Sequence, residues 1–151
     1  MILRFIPPPV WVVILLIATY ALSTAPILKD APRFPPQFIP GIATLLAATM
    51  LISLAWLQFN RAHTQVLPLS PTNNALVTNG VFALTRNPMY LGMTLYCLGG
   101  ALMMGNTIML LAPILMFAVA NWVFIPFEEA KMRRQFGEQF DAYCKRVRRW
   151  I

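Results

Sequence analysis

The sequence predicts an all-α, polytopic membrane protein with about four transmembrane helices, the last two a tight hairpin, plus a C-terminal amphipathic interfacial helix. Three observations carry that prediction. The chain is 58% hydrophobic and only 11% charged, and its mean hydropathy of +0.63 lies far outside the usual range of a soluble domain. Its apolar residues fall in uncharged stretches that reach the length, about 20 residues, a helix needs to cross hydrocarbon. Its basic residues are unevenly shared among the connections between those stretches. The 151 residues are read as one membrane domain, because spanning helices satisfy their own backbone hydrogen bonds and need no large water-excluding core.

The elements follow in order. Pro7, Pro8 and Pro9 end the N-terminal lead, and the first uncharged stretch covers residues 10–28. Arg4 before this run resembles the start of a secretory signal. The run is long, however, and no small-residue cleavage site clearly follows, so it is read as a retained span. Residues 29–36 form a proline-stiffened polar turn, and residues 38–59 are the second span. Residues 60–85 are the long polar connection, in which Pro68, Pro71, Asn73, Asn74 and Gly80 argue against one continuous helix. Connections of that length are commonly functional. Residues 89–127 are uncharged and too long for a single crossing; Gly99-Gly100 and Gly105-Asn106 supply breaks. The expected hairpin has a short arm at 88–104, able to tilt or thin the bilayer, and a full one at 107–127 with a kink expected at Pro113. In the tail, Met132, Phe136, Phe140, Tyr143, Val147 and Trp150 recur at spacings of three and four among charged residues. That is the pattern of an amphipathic helix lying at the interface, its basic residues meeting lipid phosphate.

With four spans, the N-terminus, the 60–85 connection and the tail share one side, which holds ten of the 12 Lys and Arg; Lys29 and Arg33 lie on the other. The positive-inside rule then places both termini in the cytoplasm. The same rule accounts for the net charge of +7, so nucleic acid is not implied. Compactness and the lack of organelle signals favour a prokaryotic plasma membrane. Cys97, in a span, and Cys144, in the tail, are expected to be free thiols. With one His and no Cys/His cluster, no metal site is expected.

Two polar clusters stand out at the same expected membrane face. The first is Arg86-Asn87-Pro88-Met89-Tyr90-Leu91-Gly92 at the mouth of the short arm, and the second is Glu128-Glu129 at the end of the long one. Taken singly, each has a plain explanation. Asn at an N-cap followed by Pro starts many helices, Arg86 can snorkel to phosphate, and acids favour a helix N-terminus. Their combination on neighbouring spans suggests a cofactor pocket, roofed by the tail helix.

Together with Leu76-Val77-Thr78-Asn79-Gly80-Val81-Phe82 and Phe136-Gly137-Glu138, these clusters resemble the isoprenylcysteine carboxyl methyltransferase family, and phospholipid N-methyltransferases share much of the pattern. The match runs from about residue 74 to 150. The resemblance implies an S-adenosyl-L-methionine-dependent methyltransferase built from membrane helices. It also implies a cofactor pocket lined by Asn74, Ala75, Leu76, Val77, Phe82, Asn87, Pro88, Met89, Tyr90, Glu128 and Glu129, with Arg86 as the catalytic residue that orients cofactor or acceptor.

Those residue types fit the cofactor. Its sulfonium, ammonium and ribose hydroxyls suit carboxylates, and its own carboxylate suits a cationic or amide donor. Aromatic surface suits an adenine and a sulfonium. Methyl transfer is an in-line displacement that rests chiefly on positioning. The acceptor implied is a lipophilic molecule reaching the site from the bilayer, a carboxylate or an amine. Three positions depart from the family pattern, the mildest being Phe140, which stands where a Tyr is common. Asn87 replaces the usual His and cannot titrate near neutrality. Phe124 stands where enzymes acting on prenylcysteine carry an Arg, which argues against that acceptor. Two other readings remain open from the sequence: a sterol-reductase-like membrane enzyme using NADPH, and a non-enzymatic membrane scaffold.

Overall fold

The computed structural model describes residues 6–28, 30–63 and 75–151, and within them the chain is helical, with no strand beyond an isolated bridge between Arg33 and Asn106. Helix α1, Pro8–Ser23, opens on proline, whose missing N–H is no loss in a first turn. It stops short of the expected residue 28 because Pro26, which cannot continue a helix, starts a separate turn of 3₁₀ helix, Pro26–Leu28. Helix α2 spans Phe38–Arg61. Helix α3, Pro88–Met104, coincides with the expected short arm.

The last long element is a rod of 30 residues, Thr107–Phe136. It comprises a 3₁₀ turn Thr107–Leu110, helix α4 Leu111–Val119, a π turn Ala120–Phe124, and helix α5 Ile125–Phe136. Pro113 lies in the first turn of α4, where it is tolerated. The irregularity expected there falls instead at 120–124, just before Pro126 at the start of α5. A proline lacks the N–H for the preceding turn and crowds its carbonyl, and a widened π turn absorbs the mismatch. By length and composition α2 and the 30-residue rod are able to cross a membrane, while α1 and α3 are shorter apolar helices. Large apolar side chains such as Ile17, Leu46, Met50 and Trp122 point outward, as they do in proteins solvated by lipid tails.

The hairpin turn lies at Gly105, which caps α3 with φ +65°. Asn106 follows, its Oδ1 accepting from the Ile108 N–H at 2.9 Å. Gly99 and Gly100, expected to break the helix, are inside α3. Their role is packing: a Cβ on Gly99 would lie 2.8 Å from the Leu45 side chain and 3.1 Å from the Gly41 carbonyl. Gly92, seven positions earlier, meets Ile52 and the Ala48 carbonyl in the same way. Small residues at such positions let helix backbones approach where no hydrophobic force drives them together. Residues 32–37 bind this end of the bundle, with Phe34 N–H donating to the Gly105 carbonyl and Thr107 N–H and Oγ1 to the Pro32 carbonyl.

The expected tail helix is divided. Gly137, at φ +48° with open space around a would-be Cβ, adopts a conformation that residues with a Cβ rarely take. Helix α6, Glu138–Arg146, follows it and ends at Val147, whose backbone is extended. The tail thus folds back on the bundle as a short helix and a strap. Two apolar clusters result. One lies among α1, α3, α4 and α5, around Leu15, Met93, Cys97, Met116 and Phe124. The other, around Ala55, Val81, Phe82, Phe140 and Tyr143, lies where α2 ends and α3 begins.

Candidate functional site

A cleft with about 560 Å³ of empty space, open solvent at its mouth included, lies at this second cluster. The expected residues Ala75, Leu76, Val77, Phe82, Arg86, Asn87, Glu128 and Glu129 line it together. Phe59 from α2, Met132 from α5, and Phe140 and Tyr143 from α6 complete the wall; none of these four was singled out for the pocket. Pro88, Met89 and Tyr90 stand behind the lining. Pro88 is fully buried at the start of α3, Met89 packs against the apolar cluster, and Tyr90 reaches the cleft through Glu128. Asn74 lies outside the described residues.

The short 3₁₀ turn Gly80–Ala83 turns Val81 and Phe82 inward, and Phe59 meets Phe82 edge-on at 4.9 Å. Tyr143, 3% exposed, fixes this turn by donating from its hydroxyl to the Phe82 carbonyl at 2.6 Å. Burial pushes the Tyr143 phenol above its ordinary range, so it stays a protonated donor.

Arg86 sits just before α3 with the terminal nitrogens of its guanidinium engaged on two sides. Nη2 meets Glu129 Oε1 at 2.7 Å, and the side chains of this pair are 13% and 14% exposed. Nη1 donates to the carbonyls of Val147 at 2.7 Å and Cys144 at 3.2 Å. Its Nε is buried with no hydrogen-bond partner among the described residues. This is a positioned, part-buried group held by the protein's own acceptors, which a residue snorkelling to lipid phosphate would not be. Asn87 begins α3 but does not cap it with its side chain; its Nδ2 donates to the Arg149 carbonyl at 2.9 Å. The plain N-cap explanation therefore fails for Asn87.

The two acids occupy different surroundings. Glu129 takes Arg86 on one oxygen and Arg149 Nη2 on the other at 2.6 Å. Glu128 accepts instead from the Tyr90 hydroxyl at 2.6 Å, and Tyr90 stacks on Phe124 with ring centroids 5.9 Å apart. One small volume thus holds a carboxylate shielded by aromatic rings, a guanidinium and carboxylate cluster, and an apolar wall.

The model of the family described as phospholipid methyltransferase matches residues 36–139. The chain belongs to that family. Over 112 residues it is 30% identical to protein-S-isoprenylcysteine O-methyltransferase B of Arabidopsis thaliana, covering 71% of this chain and 55% of the relative. It is 33% identical over 129 residues to protein-S-isoprenylcysteine O-methyltransferase of Schizosaccharomyces pombe, covering 76% of this chain and 53% of that one. An uncharacterized protein of Haemophilus influenzae is 35% identical over 63 residues, 42% of this chain and all of that protein. The chain spans about half the length of the methyltransferases it matches. No solved structure matches it.

Within this family member, sequence reasoning missed Arg149 and Asn121, whose contacts reach the cluster. Arg149 looked like one of several basic residues in a lipid-facing tail, and no periodicity distinguishes it. Asn121 is the lone amide of the uncharged run after Asn106. A polar side chain deep in an apolar run was the signal available for it.

Proposed function

We propose that this chain is an integral membrane methyltransferase that uses S-adenosyl-L-methionine and methylates a lipophilic acceptor delivered from the bilayer. The observation that carries this is the single cleft in which Arg86, Asn87, Glu128 and Glu129 meet Leu76, Val77, Phe82 and Phe140. Such a cleft combines sites for both charges of a zwitterionic donor with a surface for its base. The donor, when bound, supplies an electrophilic methyl group on a sulfonium.

The residues present fit that group. The orphaned Nε of Arg86 marks a guanidinium whose hydrogen bonding the described residues leave incomplete, as a site for an anionic group requires. Glu128, carrying a phenol where its neighbour carries two guanidiniums, suits a cationic group. Ala75, Leu76, Val77 and Phe82 form the surface an adenine would cover. Folding α6 over the cleft excludes water, which strengthens charge interactions inside. Arg86 orients the reacting groups, and positioning supplies most of the catalysis.

In this reading α1, α2, α3 and the α4–α5 rod are four spans, with α1 and α3 tilted or in locally thinned bilayer. Both termini and the cleft face the cytoplasm of a prokaryotic plasma membrane, because the basic residues gather at that end. The acceptor is a carboxylate or an amine. The O-methyltransferase relatives point to a carboxylate, whereas Phe124, buried and stacked on Tyr90, stands where an arginine would hold one.

Thermal unfolding of the detergent-purified protein with S-adenosylhomocysteine or NADPH tests the proposal. A ligand at 100 times its Kd raises stability by about 2.7 kcal/mol. The first ligand is expected to raise the midpoint and the second to leave it unchanged. A shift with NADPH alone would favour a reductase, and none with either a scaffold. Incubation with labelled donor and total lipid extract then identifies the acceptor.

A further inference from the structure

The C-terminal strap does more than close the cleft. Its backbone is stitched to the residues just before α3: Arg86 N–H donates to the Arg148 carbonyl at 3.0 Å, and Thr85 Oγ1 and Asn87 Nδ2 donate to the Arg149 carbonyl at 3.2 and 2.9 Å. This fixes the strap so that the Arg149 side chain turns toward Glu129. There its Nε and Nη2 meet Oε1 at 3.2 Å and Oε2 at 2.6 Å. This is the two-toothed fork that a planar guanidinium offers a carboxylate and an ammonium cannot.

The far side of the same guanidinium is also held. Nη1 donates to Asn121 Oδ1 at 3.3 Å, and that oxygen also accepts from Trp150 Nε1 at 3.1 Å. Trp150 packs on Phe117 with ring centroids 4.6 Å apart. Asn121 belongs to the π turn, which lies on the same rod as the two acids and so sets the angle between them and the amide. One amide oxygen therefore ties the last residues of the strap to the rod that carries Glu128 and Glu129.

We propose that Arg149, seated on Asn121, is a positioning residue that locks Glu129 against Arg86, so that Glu128 alone of the two acids is presented to the ligand. Both oxygens of Glu129 are occupied by guanidinium groups, whereas Glu128 carries a phenol. The two neighbours thus divide their work: one holds the cleft's architecture, and the other meets the ligand's cationic group. This narrows the expectation that both acids bind the cofactor, and it rests on the proposed methyltransferase reading for the identity of that ligand.

The test is a pair of double-substitution cycles in the Kd for S-adenosylhomocysteine, measured on the full chain in detergent. Arg149→Ala and Glu129→Gln are each expected to weaken binding about tenfold, and the double variant to be no weaker than either. Glu128→Gln is expected to weaken binding by a similar factor that multiplies with that of Arg149→Ala, since the two act independently. Arg149→Lys is expected to recover little, and Trp150→Phe, which keeps the ring and loses the donor, to weaken binding about threefold. Effects of Arg149→Ala and Glu129→Gln that multiply, or an Arg149→Ala variant binding within twofold of the unmodified protein, would overturn the proposal. If the unmodified protein binds no S-adenosylhomocysteine, the methyltransferase reading falls. The Arg149–Glu129 cycle is then read in the thermal midpoint, where independent effects overturn the lock and coupled effects support it.

Discussion

Arg86→Lys separates a charge held for its sign from a guanidinium held for its shape. If Arg86 served only to place a positive charge near lipid headgroups, lysine would replace it at little cost. In the structure its two terminal nitrogens reach three acceptors: Glu129 Oε1 at 2.7 Å and the carbonyls of Val147 and Cys144 at 2.7 and 3.2 Å. A single ammonium on a flexible stem cannot span the carboxylate on one side and the two strap carbonyls on the other. It is expected to follow the carboxylate and abandon both carbonyls. Hydrogen bonds from charged donors contribute about 1.5–3 kcal/mol each; losing two, with partial compensation by water at the mouth, costs about 3 kcal/mol. For a chain of this size that corresponds to a fall in the unfolding midpoint of about 6–12 °C. The assay is thermal unfolding in detergent, followed by tryptophan fluorescence, with S-adenosylhomocysteine titrated into each variant. An Arg86→Lys midpoint within about 1 °C of the unmodified protein, with unchanged ligand binding, would refute the assignment of Arg86 as a shaped, part-buried anchor.

Three further outcomes are expected. Tyr143→Phe strands the buried Phe82 carbonyl that its hydroxyl now serves at 2.6 Å; a loss of about 1–3 kcal/mol is expected in the same unfolding assay. Gly99→Val drives a side chain into Leu45 and the Gly41 carbonyl, so α2 and α3 must separate; the midpoint is expected to fall further than for Gly137→Ala, whose added methyl meets open space and costs only the backbone strain of φ +48°. Burial pushes the Cys144 thiol up, outweighing the Arg86 guanidinium that acts in the opposite direction. A raised pKa means less thiolate at any given pH, so iodoacetamide is expected to label Cys144 more slowly than an unstructured cysteine at pH 8, in a Cys97→Ala background, and the difference to shrink as pH rises.

The sequence was most informative where local chemistry decides structure. The start of α3 at Pro88 and its end before Gly105 follow from proline at a first turn and glycine at a left-handed cap, and both were readable. Gly99 misled because the sequence does not distinguish a glycine that breaks a helix from one that lets a second helix approach; the deciding fact, Leu45 and Gly41 on α2, lies more than fifty positions away. Gly137 falls within a continuous amphipathic pattern, since periodicity records which residues are apolar and is silent on φ. For the cleft, the lining residues carried by the Arg86 and Glu128 clusters were legible as a set. Their unequal surroundings were not: Glu128 and Glu129 are identical side chains at adjacent positions, and what distinguishes them is Tyr90 on one side and Arg149, twenty residues on, on the other.

The position of the polar cluster follows from the cost of burying charge. In hydrocarbon an unpaired carboxylate or guanidinium is expensive, so a bundle this thin has no interior in which to keep one. At the end of the bundle the cost falls, but a group left open to water is neither held nor strengthened. The chain resolves this by folding its own tail back: α6 supplies Phe140 and Tyr143 as an apolar cover, and the strap supplies carbonyls and Arg149 as partners for Arg86 and Glu129. The turn at Gly137 makes that return possible. The tail is therefore one wall of the cleft, and a chain shortened before Val147 is expected to keep α1 to α4, whose packing does not involve the tail's hydrogen bonds, while losing the ordered Arg86–Glu129 pair. Thermal unfolding of such a chain should persist with a lowered midpoint, and the stabilisation by S-adenosylhomocysteine should vanish. Retention of that stabilisation would show that the strap is dispensable and that Arg86 is held by α3 and α5 alone.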